Sequence, residues 1–177
     1  VFSKSYAEKY PESFDPSIPK EVIYSGNIHL AEKISGMGVD AGKLVLSPTR
    51  TYAPIVKKVL EKHRKNIHGI IHCSGGGQTK VLKFVNGLHI IKDNLFATPP
   101  LFRLIQAQSK TDWKEMYQVF NIGHRMEMYT DAKSAVKIIS ISRSFGVDAQ
   151  IVGRVEKSAG KKNKLTIRSH HGEYIYQ

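Results

Sequence analysis

Three consecutive glycines, Gly75 to Gly77, stand between a strand-like run and a helix-like one. IHGIIHCS (67–74) precedes them and QTKVLKFV (78–85) follows. Glycine packs nothing and weakens the interior of either regular element, so the chain turns there. A strand that hands over to a helix across bare backbone requires a mixed fold.

The neighbouring segments agree with that reading. TRTYAPIVKKVLEKHRK (49–65) carries Tyr52, Ile55, Val56, Val59 and Leu60 at spacings of three and four, which makes one buried stripe of a helix. Thr49 or Thr51 is placed to cap it, Pro54 fits its first turn, and the basic residues crowd its C-terminal end. PPLFRLIQAQ (99–108) reads as a proline-initiated helix, and TDWKEMYQVF (111–120) as a second, with Asp112 and Glu115 spaced as a capping box. Asp131 caps AKSAVKIISISRSF, which Gly146 closes.

Strands are expected at GLHIIKDN (87–94), HRMEMYT (124–130), VDAQIVGRVEK (147–157) and KLTIRSHHGEYIY (164–176), the last two joined by the polar turn SAGKKN. Two short strands are expected around Ser25–Asn27, and another leads through Leu44–Leu46 to Pro48. The fold class is therefore α+β (mixed α/β), with a mixed, largely antiparallel sheet flanked by helices. Residues 1–20 contain three prolines and little periodicity, and read as an extended arm or linker; residues 21–177 read as one domain.

The formal net charge is +12, which admits nucleic acid, anionic membrane or phosphorylated ligands as partners. Only KHRK (62–65) and GKKNK (160–164) are dense, and neither is interleaved with aromatic residues. Helix electrostatics account for much of the first. No apolar run reaches the roughly 20 residues that span a bilayer. A single cysteine, Cys73, excludes an internal disulfide and fits a cytoplasmic location. The chain opens at Val1 rather than methionine, which reads as a fragment or a processed product.

Three constellations carry candidate chemistry. Around the glycines, alternation places His68, Ile70, His72 and Ser74 on one face of the strand, and Ile67, Ile71 and Cys73 on the other. Successive glycines can present several N–H groups to an anion, or can serve only as a tight connection. The sequence is not a Walker loop, because Thr79 precedes Lys80 and Val81 follows it. Thr49 and Arg50 form the second constellation, at a strand-to-helix passage where Arg50 is able to hold a phosphate bidentately. Arg103, on the first turn after Pro99-Pro100, and Asn121, in the bend Asn121–Gly123, form the third. No metal site is expected. His68 and His72 have a plausible spacing, but the single cysteine and the lack of a third ligand leave the set incomplete.

Taken together, LSPTRTYAPIVKKVL, IHGIIHCSGGG, ATPPLFRLIQ and EMYQVFNIG resemble, in order and interval, the C-terminal half of the aminoimidazole ribonucleotide (AIR) synthetase family. The resemblance covers roughly Leu44 to Tyr129. Departures are visible. Ser47 stands where the family carries an acidic residue, Ser74 replaces a threonine, and QTKVLKF and GHRMEMY differ from the usual continuations.

The resemblance implies a domain that closes an ATP-dependent cyclo-ligase site over formylglycinamidine ribonucleotide. Its own N-terminal domain would hold most of the ATP and Mg2+ and would form a homodimer. Gly75, Gly76, Gly77 and Ser74 would then contact phosphate, and His72 would orient substrate or move a proton. Thr49, Arg50, Arg103 and Asn121 would supply further polar contacts. The full-length protein would be a cytoplasmic enzyme of purine biosynthesis, with no specific nucleic acid or membrane partner, and the isolated chain would be inactive. Another ATP-using member of the superfamily, an inactive scaffold domain and a basic nucleic-acid-binding module are the alternatives.

Overall fold

The computed structural model describes residues 1–46, 50–160 and 162–177. In chain order the elements are α1 (Ser5–Lys9), α2 (Ala41–Val45), α3 (Ala53–His63), β1 (Ile67–His72), β2 (Leu88–Lys92), α4 (Pro100–Ser109), α5 (Trp113–Val119), β3 (Met126–Thr130), α6 (Ala132–Ser144), β4 (Gly153–Lys157), β5 (Lys164–Ser169) and β6 (Gly172–Tyr176). Two compact units result. One comprises Val1–Thr49 and Thr98–Met116, the other Arg50–Ala97 and Tyr117–Gln177.

In the first unit, residues 1–20 carry α1 and a 3-10 turn, Pro11–Ser13, where the prolines had suggested extended chain. Phe2 and Ser3 bridge to Ile28 and Gly26. The Tyr6 N–H donates to the Ser3 carbonyl at 3.1 Å, and its hydroxyl accepts the Leu30 N–H at 2.8 Å. The two strands expected around Ser25–Asn27 reduce to these isolated bridges. The strand expected at Leu44–Leu46 is instead the end of α2, because Asp40 caps that helix by accepting the Lys43 N–H at 2.8 Å. A cap outweighs three apolar residues that have no partner strand.

The second unit contains two sheets. β1 and β3 form an antiparallel ribbon, and β4-β2-β5-β6 form a four-stranded sheet in that order. Within the larger sheet only β2 and β5 run parallel. The mixed, largely antiparallel architecture follows the sequence reading. The expected pairing of the last segments does not. β4 and β5 each pair with β2 rather than with one another, and KLTIRSHHGEYIY folds into the β5–β6 hairpin. Helices α3 and α6 bury Ile55, Val59 and Ile138 against Ile67 of β1 and Met128 of β3, so they cover one face of the ribbon. Asp131 caps α6 as expected, accepting the Ser134 N–H at 2.9 Å.

Candidate functional site

The glycine loop leaves β1 at His72 and enters a 3-10 helix over Gly77–Lys83. A register shift between Ile67 and Gly69 bulges β1 by one residue. Ile67 therefore shares the face of Ile70 and His72, rather than the opposite face on which unbroken alternation had put it. His72 itself is exposed at the strand end. Its carbonyl accepts the Ser74 N–H at 2.8 Å, which turns the chain into the loop.

The three glycines have different reasons to be glycine. Gly77 is buried at φ +47°, and a Cβ there would lie 2.5 Å from the Phe120 carbonyl oxygen. Gly76 adopts φ +92°, a left-handed conformation that side chains resist. Gly75 has neither constraint. It is exposed, its φ is ordinary, and nothing lies within 4 Å of the position a Cβ would take. The N–H groups of Gly75 and Gly76 meet no acceptor among the described residues, whereas those of Gly77 and Thr79 are bonded to Ser74 and Gly76.

Beside this bare backbone, the Lys80 ammonium donates to the Ser74 hydroxyl at 2.7 Å. Among the described residues Lys80 has no carboxylate partner. Two N–H groups, a hydroxyl and a cation with no carboxylate partner among the described residues thus gather at one loop. Such a set can hold an anion. Sequence reasoning omitted Lys80, although its position six residues after Ser74 lets one turn fold it back across the glycines.

Under the loop lies a buried ionic cluster that the sequence reading also missed. Lys92, at the end of β2, is 2% exposed. Its ammonium donates to the Gln78 carbonyl at 2.8 Å, to the Gln78 side-chain oxygen at 3.0 Å, and to Glu127 of β3. Glu127 also accepts from the Tyr129 hydroxyl at 2.7 Å, and Gln78 donates its side-chain amide to the Asn121 carbonyl. Burial and the Glu127 carboxylate raise the Tyr129 hydroxyl pKa. Burial first, and Glu127 next, push the Cys73 thiol up to about 12. The signal was available in LHIIK and MEMYT, where single charges of opposite sign interrupt apolar strands.

Asn121 meets the loop from the other side. Its side-chain oxygen accepts the Gly123 N–H at 2.9 Å and so shapes its own bend, while Ile122 is buried at φ +48°, a strained conformation for a β-branched residue. The bend carries His124, whose ring accepts the Phe96 N–H at 3.0 Å and stacks edge-on with the Phe96 ring. Burial, and then the Lys92 charge, hold the imidazole pKa down at about 4. Its other nitrogen is buried without an acceptor among the described residues.

Arg50 is exposed ahead of α3, and no hydrogen bond joins it to the glycine loop. Tyr52 rather than a threonine occupies the α3 cap position, with Thr51 accepting the Ala53 N–H at 3.4 Å. Thr49 lies outside the described residues. Arg103 belongs to the first unit, exposed on α4 with its guanidinium donating to the Thr98 carbonyl at 3.0 Å. Elsewhere in the second unit, a concavity of about 400 Å³ is lined by Asp93, Phe96, Tyr117, Arg168, Ser169 and His170. None of the selected residues lines it. Among the described residues no three His, Cys, Asp or Glu side chains gather as cation ligands, and no helix is long and apolar enough to cross a membrane.

Comparison with known proteins gives a consistent family. The chain is 29% identical over 160 residues to the phosphoribosylformylglycinamidine cyclo-ligase of Syntrophus aciditrophicus, covering 85% of this chain and 44% of the relative. It is 34% identical over 127 residues to the enzyme of that name from Caldicellulosiruptor saccharolyticus, covering 70% of this chain and 37% of the relative. The chain thus spans less than half the length of these curated relatives. Among solved structures, the E. coli hydrogenase maturation protein HypE matches with a TM-score of 0.51 at 15% identity, over 72% of this chain and 40% of that one. That likeness concerns the fold alone. The family model for AIR synthase related protein, C-terminal domain, matches residues 22–165. The chain belongs to that family.

Proposed function

We propose that this chain is the C-terminal part, with residues 21–177 as its body, of an ATP-dependent cyclo-ligase that converts formylglycinamidine ribonucleotide to aminoimidazole ribonucleotide in purine biosynthesis. The observation that carries the reading is Gly75. Its conformation and surroundings do not require glycine, whereas close approach of an anionic ligand to its N–H does. The names of the curated relatives supply the reaction.

In that reaction the formyl oxygen takes the γ-phosphoryl group of ATP and ADP leaves. A substrate nitrogen then attacks the activated carbon, and inorganic phosphate departs with the former formyl oxygen as the ring closes. The demand on the protein is alignment and neutralisation of phosphate charge. The Gly75 and Gly76 N–H groups, the Ser74 hydroxyl and the Lys80 ammonium would hold a phosphate of the substrate or the phosphoryl in transfer. His72, exposed where β1 meets the loop, would orient substrate or move a proton, and Gly77 would fix the turn. Arg50, Thr49, Arg103 and Asn121 are assigned to further contacts with substrate or phosphate, as the family resemblance implies.

This chain offers no cluster for a divalent cation among its described residues. ATP and Mg2+ are assigned mainly to the portion of the relatives beyond this chain, as the family resemblance implies, and that portion would also be its domain partner and the seat of a homodimer. We place the protein in the cytoplasm, without a specific nucleic acid or membrane partner.

The test is production of aminoimidazole ribonucleotide from formylglycinamidine ribonucleotide and Mg-ATP. This chain, a polypeptide corresponding to the N-terminal part of the relatives, and their mixture are assayed separately. Product from the co-eluting mixture alone is expected. A co-eluting pair that makes none would overturn the assignment.

A further inference from the structure

We propose that Lys92, with Glu127, is a positioning residue for the glycine loop: the buried ion pair holds Gln78, and through it the direction in which the Gly75 and Gly76 N–H groups point. The proposal rests on the reading of that loop as an anion site.

Glycines carry no side chains that anchor them, so the course of the loop is set from its two flanks. On the entry side the Cys73 N–H donates to the Arg125 carbonyl at 2.9 Å, continuing the pairing of β1 with β3. On the exit side Gln78 is 1% exposed and is held three times. Lys92 takes its carbonyl and its side-chain oxygen, and the Asn121 carbonyl takes its side-chain amide. An ammonium has three donors, and here all three are engaged, the third by Glu127. The carboxylate is in turn held by Tyr129.

The attraction between the two charges gives little reason for this choice of residues. Desolvating a lysine and a glutamate costs much of what their attraction returns, and apolar residues of similar volume commonly replace such pairs without loss. What an apolar pair cannot supply is a directed donor to one particular carbonyl. A loop fixed in advance binds its ligand without the cost of ordering the backbone. The arrangement therefore serves the geometry of the loop rather than the cohesion of the core.

The experiment uses the isotopically labelled chain titrated with inorganic phosphate, read at the Gly75 and Gly76 amides by NMR. The variant is Lys92→Met with Glu127→Leu, which removes both charges so that neither is left buried alone. A folded variant that melts below the wild type is expected, because the Gln78 carbonyl, its side-chain oxygen and the Tyr129 hydroxyl lose their buried partners, with phosphate affinity weaker by roughly tenfold. Gln78→Met, which keeps both charges but releases the side-chain bonds, carries the same expectation and serves if the double variant does not fold. Amides that titrate with equal affinity in the wild type and the folded variants would overturn the positioning role and leave the anion site intact. Wild-type amides that ignore phosphate would overturn the anion site itself, and this proposal with it.

Discussion

Gly77 and Phe120 meet backbone to backbone, so closely that a Cβ on Gly77 would sit 2.5 Å from the Phe120 carbonyl oxygen. Alanine at 77 must displace that carbonyl and also accept φ +47°. Gly77→Ala is expected to cost about 2–4 kcal/mol. Gly75→Ala, in open space, is expected to stay within about 0.5 kcal/mol of the wild type. Urea unfolding of the two variants checks both values, and equal losses would contradict the separate roles given to these glycines.

Function should divide the same residues in the opposite sense. Gly75→Ala places a methyl group where the anion approaches, so phosphate affinity falls although the fold does not change. Gly76 is less informative for this purpose, because any side chain at φ +92° is strained before a ligand arrives.

Lys80 provides a charge test. Lys80→Met removes the ammonium that bonds Ser74 and leaves the buried cluster untouched. Loss of a charge-assisted contact corresponds to about 1.5–3 kcal/mol, or roughly a tenfold or greater weakening of phosphate binding. The melting temperature is expected to hold within a few degrees. Calorimetric titration of phosphate into both proteins decides the matter, and unchanged affinity would remove Lys80 from the site.

His124 predicts a pH dependence of definite sign. Its imidazole is held at about 4 in the fold, against 6.5 for the free group, so the unfolded chain binds the proton first. The neutral ring's contribution is complete above about pH 6.5 and is lost as the pH falls toward 4. The full effect approaches about 3 kcal/mol. Unfolding free energies measured at pH 7 and pH 5 should differ more in the wild type than in His124→Asn.

Cys73 should be inert while the protein is folded. It is 2% exposed, and its thiol is pushed up to about 12, so little thiolate forms at pH 8. Iodoacetamide should alkylate it in denaturant and leave it intact in buffer. Rapid native labelling would show that the loop opens widely.

Much of this architecture was legible from local pattern. The stripe of Ile55 and Val59, the Asp131 cap and the strand IHGIIH each carry their signal within a few residues, and each forms as expected. Leu44–Leu46 misleads because a strand needs a partner that sequence alone does not identify, whereas Asp40 needs only Lys43 to start a helix. The bulge at His68 depends on the register with β3, and one slipped residue reverses which face a side chain shares. The glycine loop was visible as a motif. Its support was not, because Lys92, Gln78 and Glu127 are brought together only by tertiary structure.

The place of β2 in the middle of its sheet has a consequence for biosynthesis. His89 pairs with Lys164, 75 positions later, and its other neighbour is Glu156. As the chain emerges from the ribosome, β2 leaves long before either neighbour exists, with both edges bare and two isoleucines ready to join any available strand. Closing contacts over such separations is slow. The nascent chain therefore passes through an interval in which β2 lacks one or both of the strands it pairs with, and that interval ends only when residues beyond 164 have been made.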